Sequence, residues 1–349
     1  MKYSKQVSLG YDLNGKRIRK WAHANSKAEL NKKIEQLKLE HQLTPNMSDI
    51  TFGEYSQRWM NAYKSNRSTQ TRNMYVNALK KCQNLSRFPL KSITKTNCQE
   101  LVNLTWKTPR TAKIVADTLR QIFRTAAADG IILRNPAENL VLPDSQHKQI
   151  RLLTSEELSA LDRAALDPQD RMFVLILRNF GLRPAEALAL QPSDFDKNRK
   201  ILHITKALEL SGSGSSVKST KTGKSRDIPI PDALIPRLTS YFRTVPGFLL
   251  FTKTDGNQHT KSSYTKMSAR ILKRWNEALG GNSHMNLLAD VTMYSFRHRK
   301  ATDLYYLCQS GSISTKQAAA LLGHSEEIFI RTYSHIDPEH EDLAAVTNL

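Results

Sequence analysis

The residues best suited to chemistry lie in the second half of this 349-residue chain and end in a tyrosine. They are Arg183 in Gly181-Leu182-Arg183-Pro184-Ala185-Glu186-Ala187-Leu188 and Lys221 in Thr220-Lys221-Thr222-Gly223. Arg297 follows in Tyr294-Ser295-Phe296-Arg297-His298, His324 in Leu321-Leu322-Gly323-His324-Ser325, and Tyr333 in Arg331-Thr332-Tyr333-Ser334-His335. Two arginines, a lysine and a histidine can surround one phosphate, and a tyrosine hydroxyl can attack it. The in-line transition state of a phosphodiester gathers charge on its equatorial oxygens, so catalysis there is mainly positioning and electrostatics. Arginine suits that task because its planar fork pairs with phosphate and stays charged at any working pH.

Each neighbour has a reading. Glu186 lies three residues after Arg183, on the same helical face, and can orient it. Lys221 falls at the tip of a predicted hairpin, with strands over 217–222 and 225–230. From there it can protonate a departing 5′-oxygen if nearby arginines lower its pKa. Lys218 and Lys224 are its rivals. Tyr294 and Arg297 share a helix face. His298, beside Arg297, reads as a buried packing residue, with a role as proton acceptor the alternative. Tyr305 and Tyr306 read as helix packing residues. Attack by Tyr333 would exchange one phosphodiester for another, so no ATP and no cofactor is expected, and no phosphate-loop or metal-cluster spacing is present.

These residues need elements to converge them. Leu153-Thr154-Ser155-Glu156-Glu157-Leu158 is a capped helix start that opens a mixed α/β segment. Residues 201–208 read as a strand, 211–216 as a flexible loop, and helices dominate from Pro231 onward. Before it, capping-box spacing at Thr51 and Glu54 opens an all-helical stretch, with helices expected over 69–85, 96–104 and 111–129. Residues 1–45 read as a β-hairpin plus helix. Strands over 5–11 and 16–22 flank Asp12-Leu13-Asn14-Gly15, and Ser26 with Glu29 starts a helix running to about residue 39. The fold class expected is multidomain and mainly α with α+β, the last domain holding a small antiparallel sheet.

The formal charge is +20 and the pI near 9.9, which favours a polyanionic partner, nucleic acid above all. The excess is +6 in residues 1–48, +9 in 49–143 and only +5 in 144–349, so the first two segments carry most of it. Lys16, Arg17, Arg19 and Lys20 give the hairpin a basic edge. Lys64, Arg67, Arg72, Lys107, Arg110 and Lys113, with Lys80 and Lys81, are candidate phosphate contacts of the helical stretch. Three scattered cysteines imply neither zinc nor a disulfide framework and read as buried thiols. The longest apolar run, 172–177, is too short for a membrane span, and the N-terminus lacks a signal core, so a cytoplasmic protein is expected.

In order and context the set around Arg183, Lys221, Arg297, His324 and Tyr333 resembles the catalytic domain of the tyrosine recombinases, the phage integrase family. Leu13-Asn14-Gly15-Lys16-Arg17-Ile18-Arg19-Lys20 resembles the arm-type DNA-binding domain of many integrases. The helical stretch, with its exit Asn135-Pro136-Ala137-Glu138-Asn139-Leu140, resembles their core-binding domain. The resemblance implies an arm-type domain over 1–45, a SAM-like core-binding domain over 46–143 and a catalytic domain over 151–349. It implies a site-specific recombinase of a temperate phage or integrative element, joined through a 3′-phosphotyrosine on Tyr333. Its partners would be double-stranded DNA at core and arm sites, four protomers at synapsis, and a host bending factor or excisionase. Tyr294 departs from the family, which usually has histidine there. That departure leaves a catalytically weakened DNA-binding regulator or architectural protein as the alternative. A monomeric topoisomerase-like enzyme would share the nucleophile chemistry, and the arm-like N-terminus argues against it.

Overall fold

The computed structural model describes residues 3–11, 17–42, 50–144, 151–211, 214–219, 225–245 and 247–334. The chain divides into two compact units, Met1–His147 and Lys148–Leu349. It is mainly helical with small antiparallel sheets, as the sequence leads one to expect.

The first unit begins with β1 (Tyr3–Tyr11) and β2 (Arg17–Ala24), an antiparallel pair with a bulge between Ser8 and Gly10. Strand alternation sends Val7, Ala22 and Ala24 to one face, where they bury Leu30 of α1 (Lys27–Gln42). Ser26 accepts from the Glu29 N–H at 3.1 Å and starts that helix. Four helices follow: α2 (Phe52–Lys64), α3 (Thr69–Lys81), α4 (Lys95–Leu104) and α5 (Pro109–Ala128). Thr51 and Glu54 form the expected capping box. Helix α5 is the axis of this bundle. Its buried side chains, Ala112, Val115, Ala116, Leu119, Ile122, Phe123 and Ala126, recur at three- and four-residue spacing.

The second unit opens with α6 (Ser155–Arg163), capped by Thr154 and Glu157, and α7 (Pro168–Phe180), whose apolar run is buried. The short α8 (Pro184–Ala187) leads to β3 (Phe195–Asp196), β4 (Ile201–Ile204), β5 (Lys206–Ser211), β6 (Gly214–Ser219) and β7 (Arg226–Pro229). Helices α9 (Ile235–Phe242), α10 (Lys261–Ala278), α11 (Ser295–Gln309), α12 (Thr315–Leu322) and α13 (Glu326–Tyr333) complete it.

The strand pairing differs from the expected pattern. Strands β3, β4 and β7 form one sheet, and β5 pairs with β6 in another. Among the described residues the expected hairpin over 217–222 and 225–230 is therefore not a ladder. β6 spends its hydrogen bonds on β5, and β7 spends its own on β4. The predicted strand over 201–208 is split at Thr205 between the two sheets. The Gly/Ser-rich stretch expected as a loop supplies strand residues, with Ser211 opposite Gly214. Glycine and serine carry no apolar pattern, so the backbone pairing is invisible to a hydrophobicity reading.

Two glycines bring the helices together. Gly181 ends α7 at φ +60°, and a Cβ there would meet Leu322 Cδ2 at 2.9 Å. Gly323 ends α12 at φ +66°, and a Cβ there would meet a terminal nitrogen of Arg226 at 3.1 Å. Both are left-handed caps that any side chain would strain, and both allow close approach.

Candidate active site

The turn after α7, the start of α11 and the turn between α12 and α13 meet at a cluster of charges. Arg183 precedes α8, and its backbone N–H donates to Glu186 Oε2 at 3.0 Å while its guanidinium donates to Glu186 Oε1 at 2.7 Å. Glu186 is 1% exposed, so it is no surface carboxylate. Burial pushes its carboxyl up. Hydrogen bonds and charge from Arg226, and the charge and N–H of Arg183, outweigh burial and hold it down at about 2.

Arg297 is also 1% exposed. It donates to Gly181 O at 2.9 Å, to Leu322 O, and to His324 Nε2 at 2.8 Å. Burial and the nearby charge of Arg183 push it down to about 10, so it stays charged at neutral pH. Arginine can only donate, so Nε2 of His324 accepts and the neutral ring carries its proton on Nδ1. That Nδ1 is buried without a hydrogen-bond partner among the described residues. Burial and then Arg297, Arg183 and Arg226 push His324 down to about 4, so it is neutral at pH 7.

Tyr333 ends α13 and is 1% exposed. Its hydroxyl lies 3.1 Å from Nδ1 of His298, and its ring stacks near His324 with centroids 6.4 Å apart. Burial raises the phenol to about 12. Burial and the charge of Arg297 push His298 below its ordinary value, which leaves a neutral ring at pH 7. The packing reading of His298 is thus incomplete: the ring faces the hydroxyl. Tyr294 immediately precedes α11, is 42% exposed, and stands 5.9 Å from the His298 ring. Its hydroxyl has no hydrogen bond among the described residues.

Arg183, Glu186, Arg297, His324 and Tyr333 therefore share one site, with Tyr294 at its edge. Lys221 lies outside the described residues, as do Lys224 and Lys16. Lys218 is ion-paired with Glu209 across β5 and β6. Arg226 is the residue that sequence reasoning passed over. It stands on the same strand face as buried Ile228, and a charged side chain on an inward face needs a buried partner.

In the first unit one candidate is corrected. Lys64 is not a free phosphate contact. Its ammonium lies over the Trp59 and Tyr75 rings, 4.5 and 4.7 Å from their centroids, and donates to Gln121 at 3.0 Å. Arg67, Arg72, Lys107, Arg110 and Lys113 are exposed, as are Arg19 and Lys20 of β2. Only the backbone of Arg17 is described. Cys82 and Cys98 are buried, and Cys308 is half-buried rather than fully so. No described helix is long and apolar enough to cross a membrane.

Comparison with known proteins gives the same direction. The profile of the phage integrase family matches residues 146–340, and that of the phage integrase N-terminal SAM-like domain matches 51–104. The chain is 25% identical to a tyrosine recombinase XerC-like protein of Caldanaerobacter subterraneus subsp. tengcongensis, over 99% of this chain and 95% of the relative. Solved structures share the fold, two integrases among them. One is the Tn1549 transposon integrase with a circular intermediate DNA (TM-score 0.70, 21% identity, 86% of this chain and 100% of that one). The other is a lambda integrase tetramer bound to a Holliday junction (TM-score 0.65, 20% identity, 95% and 94%). With a family profile over more than half of its length, this chain belongs to the phage integrase family and is a tyrosine recombinase.

Proposed function

We propose that this protein is the integrase of a mobile genetic element, cutting and rejoining DNA at specific sites through a 3′-phosphotyrosyl link on Tyr333. The observation that carries the reading is the convergence of Arg183, Arg297 and His324 around a tyrosine hydroxyl that faces a neutral histidine. The two arginines would hold the scissile phosphate and stabilise its transition-state charge. His324 would add its unpartnered N–H. Tyr333 and Arg297 are nearly inaccessible, so the DNA strand reaches them only after a local opening of the site.

The contact between the Tyr333 hydroxyl and His298 supports the first half of the proton path, and the family resemblance supplies the second. The Tyr333 hydroxyl gives its proton to Nδ1 of His298 as the phenolic oxygen attacks phosphorus. The bond from phosphorus to the 5′-oxygen breaks, and that oxygen takes a proton from Lys221, the acid that the family resemblance assigns. The products are a 3′-phosphotyrosine and a free 5′-hydroxyl, and reversal rejoins the strand. Tyr294 would donate one hydrogen bond to the phosphate.

Residues 1–45 would grip arm-type sites with Arg19, Lys20, Arg17 and Lys16. Residues 46–143 would grip the core site with Arg67, Arg72, Lys107, Arg110 and Lys113, and 151–349 would cut it. Four protomers would meet at synapsis in the cytoplasm, with a host bending factor or excisionase as accessory. The weakened-regulator alternative rests on Tyr294 alone.

One experiment tests both. Nicked duplexes tiling the DNA that flanks the reading frame are incubated with the protein, and covalent adducts are read on denaturing gels. Adducts from the native protein and none from Tyr333→Phe are expected, with DNA binding retained. Binding without adducts on every duplex would favour the regulator.

A further inference from the structure

Arg226 lies in β7, 40 residues from Glu186, and is the second cation on that carboxylate. Its terminal nitrogens donate to Glu186 Oε1 at 3.2 Å and to Oε2 at 2.6 Å. Its Nε donates to Leu321 O at 2.9 Å, at the end of α12. The same guanidinium packs against Gly323, where no Cβ fits without displacing it. One side chain thus touches the carboxylate that holds Arg183 and the turn that carries His324. Arg183 in turn reaches Gly323 O at 3.5 Å, a long contact that leaves its exposed edge available.

The charges around Glu186 explain why one arginine is not enough. A carboxylate removed from water carries a desolvation cost that a single partner rarely offsets. With Arg183 alone, Glu186 would have to bind its partner fully, fixing the guanidinium on the carboxylate and away from a ligand. With Arg226 forked onto both oxygens, Glu186 is satisfied from one side and orients Arg183 from the other. Arg297, from α11, is the third cation near this carboxylate.

We infer that Arg226 is a positioning residue for strand cleavage: through Glu186 it aims Arg183, and through Leu321 and Gly323 it sets His324, so that both donors face one phosphate. The inference rests on the function proposed above.

The test uses the full chain and the tiled nicked duplexes, with single-turnover adduct formation measured at saturating DNA and DNA affinity measured separately. Arg226→Leu and Arg226→Lys are compared, each alone and with Glu186→Gln. Arg226→Leu is expected to slow adduct formation about tenfold to a hundredfold while leaving affinity within about twofold, the loss typical when a group that orients a reacting residue is removed. Arg226→Lys should recover part of the rate, because it keeps the charge but not the fork. The effect of Arg226→Leu should shrink in the Glu186→Gln background, since the two act as a unit. Should Arg226→Leu fail to fold, Arg226→Lys and its cycle with Glu186→Gln give the same reading. An unchanged adduct rate in folded variants, or effects that simply multiply in the cycle, would overturn the inference. Failure of the native protein to form adducts at all would instead overturn the parent reading.

Discussion

The hydroxyl of Tyr333 lies 3.1 Å from Nδ1 of His298, one residue beyond the buried Arg297. A phenol lifted to about 12 by burial cannot lose its proton unaided at neutral pH, and the neutral imidazole beside it supplies an acceptor.

His298→Ala should therefore lower adduct formation by about a hundredfold or more without unfolding the protein, as expected for a lost proton acceptor. Because the ring acts in its neutral form and is held below its ordinary value of 6.5, the native rate should level off by pH 7 and fall only in acid. A pH–rate profile on one nicked duplex checks both. A native profile still rising steeply above pH 8 would exclude this proton acceptor.

Arg297→Lys should fail although charge is kept. The single ammonium nitrogen of a lysine cannot replace the two guanidinium nitrogens that reach Gly181 O on one side and Leu322 O and His324 on the other, and losing one preorganised donor costs about 3 kcal/mol, on the order of a hundredfold in rate. The same substitution leaves a buried carbonyl without its donor, so the melting temperature should drop as well. Arg183→Lys should lose the rate with less loss of stability, because its side chain is partly exposed.

Tyr294→Phe should leave stability within about 0.5 kcal/mol, since the hydroxyl has no partner among the described residues and the side chain is exposed. If that hydroxyl donates to phosphate, cleavage should fall by about 1–2 kcal/mol. Tyr294→His should keep or raise the rate and add a titration near neutrality. A Tyr294→Phe enzyme as fast as the native one would remove the tyrosine from the chemistry.

Stability should decline steadily from about pH 6.5 to about pH 2, for two reasons of the same sign. His324 has a folded value of about 4 against an ordinary 6.5, so the unfolded chain binds its proton first and stability falls across that window. Glu186 has a folded value of about 2 against 4.5, so its contribution is complete above 4.5 and is lost toward 2. Denaturant midpoints measured against pH should flatten in the upper window in His324→Asn and in the lower window in Glu186→Gln.

Lys64→Met should destabilise the first unit by about 1–2 kcal/mol, through lost contacts with two aromatic faces, while leaving the salt dependence of DNA binding unchanged. Removing the charge of Arg67, Arg72, Lys107, Arg110 or Lys113 should leave stability alone and flatten the salt slope by about one each, if each meets a phosphate.

The sequence by itself determined most of the helices and pointed to the residues that the fold gathers into one candidate site. Capping boxes at Thr51 and Thr154, and the three- and four-residue spacing in α5, are local signals. The motifs around Arg183, Arg297, His324 and Tyr333 are local too, which is why they could be read in order along the chain. Only the tertiary structure decided how they meet. Strand partners depend on registers between distant segments, so the pairing of β7 with β4 could not be read from 217–230 alone. Lys64 sits in a helix-end pattern common to exposed lysines, and only α3 and α5 packing turned it inward. His298 and Arg226 acquire their partners across 35 and 40 residues. A buried charge is legible in sequence as an oddity, but its partner is chosen by the fold, because only packing removes water from both.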